Sequence, residues 1–267
     1  MSILKMNIKT TKFDYFEICT LENDCAVNKA ISEGVLWEPH IINYVKVNSN
    51  RNKDFVDIGS NFGWHSLIAH KHFSHVHSFE PQSALYHLQK QSISNSNINN
   101  ISIHNVALSD KPGNGQLNPV DYNSTTNTGD VSVGTGGEAI EIKTLDSYHF
   151  DNVAAIKIDV QGLEYQVIRG AERTIWENRP DIIVELENFH LIKHDTNARA
   201  VMELLRSMNY YCLYMEHSYP ADHLFVHYDN LRGFREYNKH FISSHTTNNY
   251  LNFNLDCGVF ERVSYDR

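Results

Sequence analysis

No Cys-x-x-Cys pair occurs in this chain: Cys19, Cys25, Cys212 and Cys257 are scattered, and no Ser- or Lys-rich leader precedes them. They read as reduced thiols of a cytoplasmic protein. Runs of Lys and Arg are missing too. With a formal net charge of -9 and a pI near 5.9, the chain lacks the basic clusters that would attract a nucleic acid by neutralising its phosphates. No apolar stretch approaches the ~18 residues of a membrane span, so a soluble protein is expected. Histidines are plentiful, but His70, His72, His75 and His77 straddle a helix end and a strand start and miss tetrahedral metal-site spacings. His190 and His194, with Glu185 and Glu187 just upstream, are the better placed pair.

What is present is a strand-to-cofactor loop. The apolar run from Phe55 to Ile58 feeds Asp57-Ile58-Gly59-Ser60-Asn61-Phe62-Gly63 and then a helical pattern. Glu80 stands 23 positions after Asp57, at the end of the apolar run Val76 to Phe79. That is close to the ~20-residue interval of an acid that grips ribose hydroxyls. The dinucleotide fingerprint is not matched, because Asn61 occupies the place of the glycine that lets backbone touch a pyrophosphate. S-adenosylmethionine (AdoMet) carries no pyrophosphate, and it is favoured over NAD.

Strand and helix patterns alternate with short connections, the signature of a doubly wound, mostly parallel α/β sheet. Strands are expected at 54 to 58, 75 to 79, 101 to 106, 153 to 159 and 181 to 187, and helices at 64 to 72, 82 to 94, 164 to 178 and 197 to 208. Strand-like stretches at 210 to 215, 223 to 228 and 254 to 262 could supply an antiparallel pair that closes the sheet. At 267 residues and 41% hydrophobic, one domain is the simplest organisation. Within it, 1 to 53 would be an extension opening a helix at Trp37-Glu38-Pro39, 54 to 190 the cofactor-binding core, and 191 to 267 the part that completes the sheet and shapes an acceptor site. The Gly-, Asn-, Thr- and Ser-rich stretch 111 to 137 is long for a connector and reads as a functional lid or a partly mobile loop.

Ligands of open α/β sheets gather beyond the carboxyl ends of the strands. In Val153-Ala154-Ala155-Ile156-Lys157-Ile158-Asp159, alternation puts Lys157 and Asp159 on one face. A lysine in a central strand requires a carboxylate neighbour, since unpaired burial costs several kcal/mol or drives deprotonation. Counting one pleat back from each rim sets Asp57, Lys157 and Glu185 in a row, with Asp159 and Glu187 nearer the opening. A buried ion network that only fixes the sheet is the alternative.

With these residues assembled, the sequence resembles the FkbM-type family of AdoMet-dependent methyltransferases from about Trp37 to His190. The blocks are DIGSNFG (57 to 63) with Ser66, FEP (79 to 81), NVALSD (105 to 110), TLD (144 to 146), IKIDVQGLE (156 to 164) followed by VIRGA (167 to 171), and PDIIVEL (180 to 186). The resemblance implies a class I, Rossmann-like methyltransferase fold that methylates a hydroxyl oxygen, often on a sugar or a polyketide. It also implies that Asp57, Gly59, Ser60, Asn61 and Gly63 line the methionine end of AdoMet, that Glu80 with Pro81 holds the ribose, and that Asn105, Ala107, Ser109 and Asp110 border the adenine. Ser60 departs from a usual alanine and Gln161 from a usual glutamate.

The expected function is therefore AdoMet-dependent O-methylation of a sugar or glycan hydroxyl, with a small-molecule or glycan acceptor. Its rivals are a non-catalytic AdoMet- or glycan-binding module and O-methylation of a polyketide-like molecule. Asp159 is the expected general base, positioned by Lys157 and Glu185, with Glu164 as a second acid/base candidate and His65 behind it. A divalent cation held by Asp159, Glu185 or Glu187, and Asn188 could instead polarise the acceptor.

Overall fold

A computed structural model describes residues 6–213, 221–231, 251–254 and 259–262. The strands β3 (Asp54–Ile58), β4 (Val76–Phe79), β5 (Ile101–His104), β10 (Val153–Ile158) and β11 (Asp181–Glu185) lie parallel in a seven-stranded sheet. It is completed by β12 (Tyr210–Leu213) and β13 (Asp222–His227), in the order β12-β13-β11-β10-β3-β4-β5. Only β13 runs against the rest, since it pairs antiparallel with both β11 and β12. The expected doubly wound α/β sheet is present. Its central strands are apolar on both faces because helices cover both.

One face packs Phe55, Ala155 and Ile183 against α2 (Pro39–Val47), α3 (Trp64–Ala69) and α4 (Ser83–Asn95). The other packs Val56, Ile156, Ile158 and Val184 against α5 (Glu164–Arg169), α6 (Glu172–Asn178) and α8 (Ala198–Ser207). Lys157 shares the first face with Ala155, under the helices that the N-terminal segment supplies. That segment is part of the core: its hairpin, β1 (Ile8–Lys12) and β2 (Glu17–Leu21), docks on α4, where the Cys19 amide donates to Ser92 Oγ at 2.8 Å.

Three expectations need correction, and one stretch gains detail. The helix expected over 164 to 178 breaks into α5 and α6, because a Cβ on Gly170 would stand 2.0 Å from the Ser109 carbonyl oxygen and Asp146 caps the new start through the Arg173 and Thr174 amides. The strand expected at 101 to 106 ends at His104, and beyond it a separate strand forms, β6 (Ala107–Leu108). The stretch 111 to 137, read as a lid or a partly mobile loop, carries strands of its own. It contributes β7 (Gly113–Leu117) and β8 (Val133–Gly134) to a small sheet ordered β6-β9-β7-β8 with β9 (Ala139–Lys143). Finally, β14 (Leu251–Asn254) and β15 (Val259–Arg262) pair with each other and not with the main sheet. Residues 214 to 215, expected to extend β12, lie outside the described residues, as does Cys257.

Candidate active site

Beyond the carboxyl ends of β3, β4 and β10 the turn after β3 bends sharply, with Gly59, Asn61 and Gly63 all at positive φ (77°, 54° and 80°). Gly59 has a second reason to be glycine: a Cβ there would lie 1.7 Å from the Asp159 carbonyl oxygen. Glu80 fastens this turn to the end of β4. Its Oε2 accepts the Asn61 amide at 2.9 Å and its Oε1 the Gln82 amide at 2.8 Å. Burial pushes the Glu80 carboxyl up to about 8, against the pull of those two N–H groups. Gln89, which the sequence reading missed, braces the turn from α4 by donating to Ser60 Oγ and to the Asn61 carbonyl.

The cleft so formed is lined by Gly59, Asn61, Glu80, Pro81, Ala107 and Asp159, with an apolar wall of Phe79, Val106, Leu108 and Leu163. The other residues expected on the cofactor lie behind this wall. Asp57 is fully buried and accepts from Ser66 Oγ at 2.6 Å, Ser60 donates to the Phe79 carbonyl, and Gly63 packs on Gln89. Asn105 donates to the Glu80 and Pro81 carbonyls and so props the turn after β4. Ser109 and Asp110 bond to each other on an exposed turn and do not line the cleft.

The connector closes over the opening. Leu117, Gly129, Val131 and Val133 complete the lining, and the cavity beneath them is about 60 Å³. A latch holds this cover down: the Thr128 amide and Oγ1 donate to Asp24 Oδ2 at 3.1 and 2.8 Å, and Gln82 Nε2 donates to the Thr128 carbonyl. Of the two readings of this stretch, a lid fits its position.

Asp159 reaches the cleft from the end of β10 with three partners, Lys157, Gln161 and Glu185. Lys157 Nζ stands 3.1 Å from Oδ2, Gln161 Nε2 donates to Oδ1 at 2.8 Å, and the same amide reaches Glu185 Oε2 at 3.0 Å. Burial would raise the Asp159 carboxyl, but Lys157 and these hydrogen bonds outweigh it and hold the group below the usual carboxylate range. The expected row of Asp57, Lys157 and Glu185 is half right. Lys157 is opposite Asp57 on β3, whereas on β11 it faces Ile183, and Glu185 lies beside Asp159, with which it shares the Gln161 amide. Gln161 thus clamps two carboxylates together, a task a glutamate could not perform when ionised.

Behind Lys157 lies a polar cluster that the sequence reading did not assemble. Glu38, in the left-handed region at φ 45° ahead of Pro39, puts Oε2 3.3 Å from His65 Nε2, and neither atom has an aligned hydrogen bond. His40 Nε2 and Asp222 Oδ2 meet at 2.6 Å. Burial raises Glu38 to about 8 despite Lys157, and burial together with Lys157 keeps His65 neutral. Burial also opposes the Lys157 charge, but Asp159, Glu38, Asp57 and Asp222 together keep it charged. The only sequence signal for Glu38 was the Trp-Glu-Pro helix start.

Glu164 turns inward, its Oε1 accepting the Val160 and Gly162 amides, and burial raises it to about 7. It does not line the cleft. Among the described residues no three His, Cys, Asp or Glu are grouped to hold a metal ion. Of the four ligands considered, Asn188 accepts the Ala198 amide and Glu187 stands 3.4 Å from His190, so they do not converge with Asp159 and Glu185. His190 also faces Asp130 of the cover at 3.4 Å. No described helix is long and apolar enough to cross a membrane.

The chain is similar to the crystal structure of methyltransferase FkbM from Methylobacillus flagellatus KT (17% identity, TM-score 0.46), covering 66% of this chain and 44% of that one. It thus spans less than half of that protein. An rRNA methylase from Streptococcus thermophilus aligns over 69% of this chain and 90% of its own, at 11% identity and a TM-score of 0.45. M. jannaschii TYW2, in complex with AdoMet, aligns over 83% and 85%, at 13% and 0.40. No curated protein matches. The family model of the methyltransferase FkbM domain matches residues 57–212, which hold the glycine turn after β3, Glu80, Lys157 and Asp159, and the chain belongs to that family.

Proposed function

We propose that this protein is an AdoMet-dependent O-methyltransferase acting on a hydroxyl of a sugar or glycan. The observation that carries the reading is the meeting of Gly59, Glu80 and Asp159 at one cleft: a backbone cradle, a buried carboxylate and an ionised acid. The chemistry of the residues fits the cofactor. Glu80 retains acceptor capacity beside its two backbone donors, suited to paired ribose hydroxyls. The apolar wall of Phe79, Val106 and Leu108 suits a flat base. When bound, AdoMet supplies an electrophilic methyl group on a sulfonium.

The chain's own residues then have to orient an acceptor oxygen and relieve it of its proton. In-line alignment of this kind is worth ~7 to 11 kcal/mol in favourable intramolecular models. Asp159, held by Lys157 and Gln161, is ionised at neutral pH, so its carboxylate accepts the hydroxyl proton as the oxygen is alkylated. Lys157 and Glu185 act through Asp159 and are positioning residues. Most small-molecule sites have cavities of ~300 to 1,000 Å³, several times the about 60 Å³ under the cover. The connector therefore has to lift for the cofactor to enter.

The test is a screen of glycan, monosaccharide and polyketide acceptors with isotopically labelled methyl donor, alongside S-adenosylhomocysteine titration. Label on a glycan hydroxyl supports the reading. Transfer to a polyketide alone would shift the acceptor class, and binding without transfer to anything would point to a binding module.

A further inference from the structure

A second cavity, of about 410 Å³, is on the opposite rim of the sheet from the cofactor cleft. Arg179 stands just ahead of β11, Tyr210 opens β12 and His227 closes the antiparallel β13, so all three mark the rim away from Gly59 and Asp159. The helices α6 and α8 form its sides.

The lining is unusually rich in hydrogen-bond donors. Three of its residues are arginines, Arg169, Arg173 and Arg179, and Glu172 is its sole acid, in a chain whose net charge is -9. Each guanidinium spends only part of its capacity: Arg169 pairs with Glu172, Arg173 Nη2 donates to the Asp146 carbonyl at 2.7 Å, and Arg179 Nη1 meets Asp229 at 2.8 Å. Five N–H groups per guanidinium leave donors over at every one. His227 Nδ1 accepts the Asp229 amide, which leaves the ring proton on Nε2 as a further donor. Tyr210 is 2% exposed and its hydroxyl has no hydrogen-bond partner. A buried orphan hydroxyl is costly. It finds no protein acceptor on this wall.

The rest of the wall is apolar: Ile175, Leu204, Met208 and the indole of Trp176, which is 66% exposed. A lone large aromatic at the mouth of an arginine-lined cavity offers a stacking face for a flat group. We propose that this cavity is a second binding site, for a small organic phosphate carrying an aromatic ring. The guanidiniums, with Tyr210 and His227 behind them, would take the phosphate, and Trp176 would take the ring. Phosphate is favoured over carboxylate because a terminal phosphate presents three acceptor oxygens to three arginines. Nothing in the methyl-transfer cleft is needed for this binding.

The experiment is calorimetric titration of the full chain with adenosine 5′-monophosphate, inorganic phosphate and adenosine, with S-adenosylhomocysteine at saturation to occupy the cofactor cleft. Tryptophan emission, compared with that of a Trp176→Phe protein to separate Trp176 from Trp37 and Trp64, reports the ring. Saturable binding of the nucleotide with quenched emission is expected, at least roughly tenfold tighter than either fragment, a difference of about 1.4 kcal/mol. Arg179→Gln and Tyr210→Phe should each weaken it by on the order of fivefold or more. Tyr210→Phe deletes a hydroxyl with no partner, so its fold and its S-adenosylhomocysteine affinity should be unchanged. Nucleotide affinity equal to that of phosphate or adenosine, insensitivity to both substitutions, or no saturation at millimolar concentration would each overturn the proposal. If S-adenosylhomocysteine itself fails to bind, the same substitutions still separate the two rims.

Discussion

Gly59 and Asp159 touch through their backbones, the glycine Cα lying so close under the Asp159 carbonyl that an added Cβ would stand 1.7 Å from its oxygen. The contact ties the turn after β3 to the strand that carries Asp159, so in the proposed reaction one backbone approach sets the distance between the cofactor side and the acceptor side.

Gly59→Ala should therefore damage fold and site together. Both the clash with main-chain atoms and the positive φ of 77° count against any side chain. A loss of at least about 2 kcal/mol is expected, read by chemical denaturation. A Gly59→Ala protein as stable as the parent, with unchanged S-adenosylhomocysteine affinity, would refute the contact.

Glu80 gives a pH signature. Its carboxyl is raised to about 8, so the fraction ionised grows as pH climbs toward that value, and the ionised form is the better acceptor for ribose hydroxyls. S-adenosylhomocysteine affinity should rise between pH 6 and 8, by no more than ~1.4 kcal/mol per unit, and level off above. Glu80→Gln should flatten this profile, and Glu80→Ala should cost ~2 to 3 kcal/mol of binding. A parent profile flat across the same range, measured by calorimetry, sinks the assignment.

Much of this was legible in the sequence, for identifiable reasons. Parity along β10 put Lys157 and Asp159 on one face, and the parallel order put Asp57 beside Lys157, because alternation and crossover rules are local. The Glu185 register was not legible: where β11 starts relative to β10 depends on how α6 and its Pro180 end pack, and the strand pairs Ile183 with Lys157. Glu38, His40 and Asp222 escaped because their meeting spans the chain, His40 and Asp222 being 182 positions apart. The break at Gly170 escaped because its cause is the Ser109 backbone, remote in sequence.

The buried cluster predicts opposite behaviour for two of its members. Lys157→Met leaves Asp57 and Asp159 buried without their cation and should cost ~3 to 5 kcal/mol. Glu38, raised to about 8 from an ordinary 4.5, binds its proton more tightly folded than unfolded, so its contribution to stability is full below pH 4.5 and is lost as pH rises toward 8. Glu38→Gln should consequently be mild at pH 5 and comparatively stabilising at pH 9. Thermal melts of the three proteins across that range decide it, and a Glu38→Gln penalty that grows with pH would contradict the burial argument.

The latch between Asp24 and Thr128 joins the N-terminal segment to the cover of the cleft. Asp24→Ala removes the acceptor of two hydrogen bonds to Thr128 and should loosen the cover, with a loss of about 1 to 3 kcal/mol of closed-state stability. Stopped-flow measurement should show S-adenosylhomocysteine leaving faster, by roughly 2- to 13-fold if half of that loss falls on the opening barrier. Exchange at the parent rate would mean that the connector does not gate the site.

Asp159 carries the chemistry in this reading, and its surroundings make the test clean. Lys157 and Gln161 hold its two oxygens from below, so Asp159→Asn keeps the size of the side chain and leaves Glu80 and the Gly59 turn in place. Cofactor affinity should stay near that of the parent while turnover with a responsive acceptor falls by a factor on the order of 10² to 10⁴. Because Lys157 and the hydrogen bonds hold the carboxyl below its usual range, the parent rate should not fall off until pH drops well into the acid region. Glu185→Gln changes a partner of Asp159 and should move the rate less than Asp159→Asn does. Near-normal turnover by Asp159→Asn at saturating acceptor would leave Asp159 structural and direct attention to His65, the neutral imidazole beside Glu38.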